Sequence, residues 1–197
     1  MRLIFEKRES VSRTAAVLVP VASFLLSLLC GAILLWACGA DPFVTYRAMA
    51  GGAFGSAFSL TETLVKAIPL MLTGLGVALA FRLRFWNIGA EGQLVCGGVA
   101  AAWVGLFWAE VVPPWALLPA CLAVGMAAGA LWAGVPACLK AHLCVDETLT
   151  TLMLNYVAIL FSEHLYYGAW RDPKGYGFPG TAPLPEAAWL PRLAGRA

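Results

Sequence analysis

A chain of 197 residues in which 61% are hydrophobic and only 12% charged departs from soluble domains, where the shares are roughly 45–50% and about 25%. Its net charge of +2 offers no basic surface for nucleic acid. The length accommodates about five membrane helices of ~20 residues each plus loops, so the composition predicts an all-α polytopic helix bundle in a lipid bilayer.

The first element follows a basic start (Arg2, Lys7, Arg8, Arg13) and runs from 14 to 37, 24 positions without a charge. That is too long for a signal peptide, and Trp36 sits at its far end like an interface anchor. Gly39 and Pro42 suit a helix stop. Residues 43–61 hold too few consecutive apolar residues to span, and predict a short surface helix and a loop. The second span is expected over 63–81, kinked near Pro69 and closed by Arg82 and Arg84. A third is expected over 93–109, short for a crossing unless the preceding Gly89–Gly92 region extends it. A fourth follows over 115–139 and a fifth over 148–167, with a break or re-entrant segment near 85–93. The remainder, 168–197, carries Pro173, Pro179, Pro183, Pro185 and Pro191 and reads as an extracytoplasmic loop. A five-span chain that stops on such a loop is expected to be incomplete.

With residues 1–13 placed in the cytoplasm, the inner side carries Arg2, Lys7, Arg8, Arg13, Arg82, Arg84 and Lys140. The outer side carries Arg47, Lys66, Arg171, Lys174, Arg192 and Arg196. The totals are nearly even, but four inner residues crowd the first span, which usually dominates orientation.

Between Phe81 and Gln93 the apolar field is interrupted by Arg82, Arg84, Asn87, Gly89, Glu91, Gly92 and Gln93. A carboxylate in a membrane costs a few kcal/mol and therefore faces a cavity or a partner. Two readings stand: Asn87, Glu91 and Gln93 border a solute path with Gly89 and Gly92 permitting the break, or the segment is a cytoplasmic turn. Thr148, Thr151 and Asn155 share one helix face, which Ser162 continues. They suit either a hydrogen-bonding wall for a polar solute or interhelical glue. Gly125, Gly129 and Ala133 recur every fourth residue, a face that lets another helix backbone approach. Asp146 and Glu147 suit a helix start through the macrodipole, and Glu163–His164 reads as an interfacial pair.

Enzyme chemistry has little support. No metalloprotease, serine-hydrolase or phosphate-loop motif occurs. An intramembrane enzyme would have only Glu163–His164 to work with. The six cysteines (Cys30, Cys38, Cys96, Cys121, Cys138 and Cys144) form no Cys-x-x-Cys pair and read as packing residues. No metal and no cofactor is expected.

At Asn87-Ile-Gly-Ala-Glu-Gly-Gln the chain resembles the permease subunits of ABC importers for nucleosides and simple sugars, within the branched-chain amino acid/ribose permease superfamily. Other stretches agree in order: Gly52-Ala-Phe-Gly-Ser, Glu62-Thr-Leu-Val-Lys-Ala-Ile-Pro-Leu, Leu72-Thr-Gly-Leu, Val145-Asp-Glu-Thr-Leu-Thr-Thr-Leu-Met-Leu-Asn-Tyr and Pro183-Leu-Pro-Glu. Asp146 stands where such permeases commonly have Asn, and the later Gly-x-Asn-x-x-Ala-Ala docking loop does not occur, so the resemblance is to the amino-terminal half. It implies a bacterial inner-membrane subunit moving a nucleoside or related solute by alternating access. ATP hydrolysis would reside in separate ATP-binding subunits. Further implied partners are a second permease and an extracytoplasmic solute-binding lipoprotein. Asn87, Glu91, Gln93, Thr151 and Asn155 are the expected path residues. The alternative expectation is a non-transporting remnant or assembly subunit.

Overall fold

The computed structural model describes residues 12–175 and 180–190, and within these the protein has six α-helices and no strand. Residues 1–11, with Arg2, Lys7 and Arg8 of the expected cytoplasmic start, lie outside the described residues. So do Pro179, Pro191, Arg192 and Arg196 of the expected outer loop. The chain divides into two units, Met1–Lys66 and Ala67–Ala197, with the boundary inside the third helix.

In the first unit, α1 (Arg13–Ala37) starts where the Ser12 hydroxyl accepts the Ala15 N–H at 3.2 Å. It stops in a Schellman turn: Gly39 takes φ 81, and Ala40 N–H reaches Leu35 O. Asp41 then caps α2 (Pro42–Phe54), accepting the Phe43 and Val44 N–H groups at 2.8 and 3.1 Å, with Pro42 in the first turn where its missing donor costs nothing. The region expected as a surface helix and loop is thus more ordered. α2 folds back on α1, its Tyr46 hydroxyl donating to Leu28 O at 2.7 Å over the bare face of Gly31. Ser56 accepts the Ser59 N–H at 3.0 Å, so α3 (Ala57–Arg82) begins six residues before the expected Thr63. No residue of α2 or α3 is buried, and many of their Leu, Phe, Ile and Met side chains are exposed.

In the second unit, a turn after α3 brings Arg84, a non-glycine residue, into left-handed conformation (φ 55). Residues 85–89 are non-helical and lead into α4 (Ala90–Phe107). A short link then gives α5 (Pro114–Leu143), which runs antiparallel to α4 along a seam of small residues. A methyl group on Gly97 would lie 2.9 Å from Gly125 O, and one on Gly129 would lie 3.1 Å from Gln93 O. Gly125 and Gly129 thus lie where the two backbones approach, and Ala133 is half-buried. α5 ends at Cys144, also left-handed (φ 53), and Asp146 caps α6 (Glu147–His164). A π-helical turn, Leu165–Ala169, follows. The tail returns to the far end of the α4–α5 hairpin, where Ala187 and Ala188 pack on Val104, Leu117 and Cys121.

Among the described residues, four helices are long and apolar enough to cross a membrane: Thr14–Ala37, Ala57–Arg82, Ala90–Phe107 and Pro114–Leu143. α6, the remaining member of the expected series, is more polar because it carries a buried stripe of Thr151, Asn155 and Ser162.

Candidate functional site

The non-helical linker between α3 and α4 sets a problem of backbone accounting. Each of its peptide groups needs a partner: Phe85 N–H returns to Ala80 O of α3, Asn87 N–H bonds Phe85 O, and Gly89 O takes the Gln93 N–H of α4. Side chains of α6 supply the partners of the Trp86 N–H and of both Ile88 peptide groups. Thr151 Oγ1 accepts the Ile88 N–H at 3.2 Å. Asn155 spans the next step with both ends of its amide: Nδ2 donates to Ile88 O at 2.9 Å and Oδ1 accepts the Gly92 N–H at 2.8 Å. One turn earlier, Glu147 Oε1 accepts the Trp86 N–H at 3.4 Å. Glu147, Thr151 and Asn155 are spaced by four, so they form one row of the helix surface and meet Trp86, Ile88 and Gly92 in chain order.

Inside the linker Asn87 completes the set. Its Oδ1 accepts the Gly89 N–H at 2.9 Å, and its side-chain amide pairs reciprocally with that of Gln93, both contacts at 3.2 Å. Asn87, Thr151 and Asn155 are buried, at 9%, 1% and 6% exposure. These neutral groups are tolerated there because each is satisfied.

Gly89 and Gly92 serve this contact through size. Neither has a positive φ. A methyl on Gly89 would lie 2.9 Å from Thr151 Cβ, and one on Gly92 would lie 2.8 Å from Asn155 Oδ1 and 3.0 Å from Asn155 Cα. The glycines thus let α6 come close enough to reach backbone.

Glu91 stands apart from the other expected site residues. It is exposed in the first turn of α4, and its carboxylate has no hydrogen-bond partner among the described residues. Thr148 contributes only its carbonyl, to Thr151 Oγ1, and Ser162 bonds Ile159 O of its own helix. Glu163 and His164 are exposed at the end of α6. Gln93 is half-buried, and its carbonyl faces Gly129. The structure therefore joins Asn87, Gln93, Thr151 and Asn155 in one network and leaves Glu91 outside it.

Two residues of this region were not expected from sequence to act together. Lys140, in the last turn of α5, forms an ion pair with Glu147 and also donates to Arg84 O at 3.2 Å. That hydrogen bond from Lys140 is the main reason the Glu147 carboxyl is held below its ordinary pKa. Asp146 alone supplies the side-chain cap of α6, accepting the Leu149 N–H at 2.9 Å, which frees Glu147 for the linker. Opposite charges flanking a predicted helix break were the available signal.

The network is neutral, amide-rich and closed on itself. It includes no nucleophile–base pair, and no group of His, Cys, Asp or Glu that could hold a metal ion occurs among the described residues. Its chemistry is hydrogen bonding and shape.

Comparison with known proteins gives a consistent result. The family described as the branched-chain amino acid transport system / permease component matches residues 59–189. The glucose ABC transporter permease protein of Haloferax volcanii is 40% identical over 195 residues, covering 99% of this chain and 50% of that protein. The guanosine ABC transporter permease protein NupP of Bacillus subtilis is 38% identical over 162 residues, 82% of this chain and 46% of that protein. The nucleoside ABC transporter permease protein NupB of Lactococcus lactis is 34% identical over 160 residues, 81% and 44%. The chain spans about half the length of these curated relatives. No solved structure matches it. The apolar helices, the matched region and these identities together show that this multi-pass membrane chain belongs to the branched-chain amino acid transport system / permease component family.

Proposed function

We propose that the chain forms part of the permease subunit of an ATP-driven importer that carries a nucleoside or related small polar solute into the cell by alternating access. The observation that carries this reading is the identity, over 81–99% of the chain, with permeases for glucose, guanosine and nucleosides. Their solutes share uncharged hydroxylated rings, which need no counter-charge and can pass a neutral wall whose amides are already paired. The path runs beside Glu91 and Gln93, while Asn87, Thr151 and Asn155 give that wall its shape. The partners are ATP-binding subunits that do the hydrolysis, a second permease and an extracytoplasmic solute-binding lipoprotein.

The membrane is the bacterial inner membrane, and the amino terminus is cytoplasmic. Support comes from Arg82, Arg84 and Lys140, which lie at the turns joining α3 to α4 and α5 to α6. Trp108, Trp115 and Trp170 lie at the opposite helix ends, as an interfacial belt does. Two crossings, α1 and α3, return the chain to the side on which it began.

Glu91 provides the test. In the complete transporter, Glu91→Ala is expected to abolish uptake of labelled nucleoside while the protein inserts in the membrane at its normal level. Unchanged uptake refutes the assignment of Glu91 to the path.

A further inference from the structure

Lys140 and Glu147 face each other across the Cys144 turn, with side chains 38% and 13% exposed. With its lysine end open to water, the pair is worth little as an ion pair alone. Its contacts, however, extend beyond the pair and have a direction. An ammonium has three donors and no acceptor. One donor of Lys140 goes to Glu147, another to the carbonyl of Arg84 at 3.2 Å, and the charge lies 5.2 Å from the centre of the Phe85 ring. A carboxylate only accepts, and Glu147 Oε1 takes the Trp86 N–H. Three consecutive residues, 84 to 86, are therefore gripped by a donor on the last turn of α5 and an acceptor on the first turn of α6.

We propose that Lys140 is a positioning residue: with Glu147 it clasps the backbone of residues 84–86 and seats the rest of the linker, with the first turn of α4, on the polar row of α6. This rests on the reading of that linker as part of a solute path. The clasp explains why the α3–α4 linker, in left-handed conformation at Arg84, has a defined course before the Thr151 and Asn155 contacts begin. It also makes the polarity of the pair essential. Reversing the two charges keeps an ion pair, yet sets a carboxylate against the Arg84 carbonyl and an ammonium against the Trp86 N–H, so both backbone contacts turn repulsive.

The test compares amide hydrogen exchange of residues 84–89 in four forms of the full chain in lipid nanodiscs, with residues 97–104 of α4 as internal reference. Lys140→Met is expected to exchange about tenfold faster across 84–89. Lys140→Arg, which keeps the donors, is expected to match the wild type. The double variant Lys140→Glu/Glu147→Lys is expected to remain as fast as Lys140→Met. Restored protection in the double variant overturns the clasp and leaves an ordinary ion pair. Acceleration that extends equally into 97–104 also overturns it, in favour of general stability. Uptake is scored separately in the complete transporter. If Lys140→Met accelerates exchange but transports normally, the clasp stands and the path reading falls.

Discussion

Replacing Gly92 by alanine adds one methyl group at a close contact between α4 and α6. It would stand 2.8 Å from Asn155 Oδ1, 3.0 Å from Asn155 Cα and 3.2 Å from Leu154 O. Two of these atoms belong to the α6 backbone and cannot rotate away, so the start of α4 has to move off. Overpacking of this kind costs about 1–3 kcal/mol. The shift also stretches the Gly92 N–H bond to Asn155, now 2.8 Å, with a loss of about 1 kcal/mol. Alanine returns about 0.5–1 kcal/mol through its better helix propensity. The net is a destabilisation of about 2 kcal/mol, which for a chain of this size lowers the unfolding midpoint by about 4–8 °C. A fluorogenic thiol reagent can follow the release of the buried Cys121 on heating, once the exposed thiols have been blocked. Gly98→Ala is the matched control: it lies on the same helix and its added methyl meets nothing within 4 Å. Gly98→Ala should be neutral or slightly stabilised. A Gly92→Ala protein that melts with Gly98→Ala would refute the close-approach account of the linker.

The other expectations concern the same row of α6. Asn155→Leu removes the partners of Ile88 O and Gly92 N–H together, and each orphaned buried group costs about 1–3 kcal/mol; its midpoint should fall further than that of Gly92→Ala. Ser162→Ala, equally buried but bonded only to its own helix, should stay within about 0.5 kcal/mol of wild type. Glu147 has its folded pKa lowered from 4.5, so its contribution is present above that value and is lost as pH falls through the lowered one. The midpoint difference between wild type and Glu147→Gln should be constant above about pH 5 and close in more acidic buffer. A difference that closes between pH 6 and 8 would contradict the sign of that shift.

How far the chain could be read depended on whether a feature had a partner written in side chains. The charge-free run of α1 and the helix break after Arg84 were plain, because burial of charge in lipid is so costly that composition alone marks the spans. The stripe of Thr151 and Asn155 was also plain, and its two readings, wall or glue, were open. The partner of that stripe is main chain, which carries no residue code, so nothing in 86–92 announces that Thr151 and Asn155 belong to it. The same is true of Gly89 and Gly92: a break was legible, but the approach of α6 that demands small residues was not. The early start of α3 was hidden by the glycines of 51–55, which weaken any helical pattern, although Ser56 and Ser59 held the capping signal. Lys140 and Glu147 are seven residues apart, outside the i, i+4 rule that finds pairs within one helix. They meet only because the left-handed turn at Cys144 folds α6 back beside α5.

The dependence of the linker on α6 also has a consequence for biosynthesis. Ile88 and Asn155 are 67 residues apart, which at roughly 5–20 residues per second corresponds to about 3–13 s of translation. During that interval α3 is already made and α4 is completed, while the α6 groups that will bond the Ile88 and Gly92 peptides have not been made. Only water can serve those peptides in the meantime, so the linker has to wait at an aqueous surface wherever it finally rests. α6 then arrives as a replacement for solvent, and the first half of the bundle remains provisional until the ribosome has delivered it.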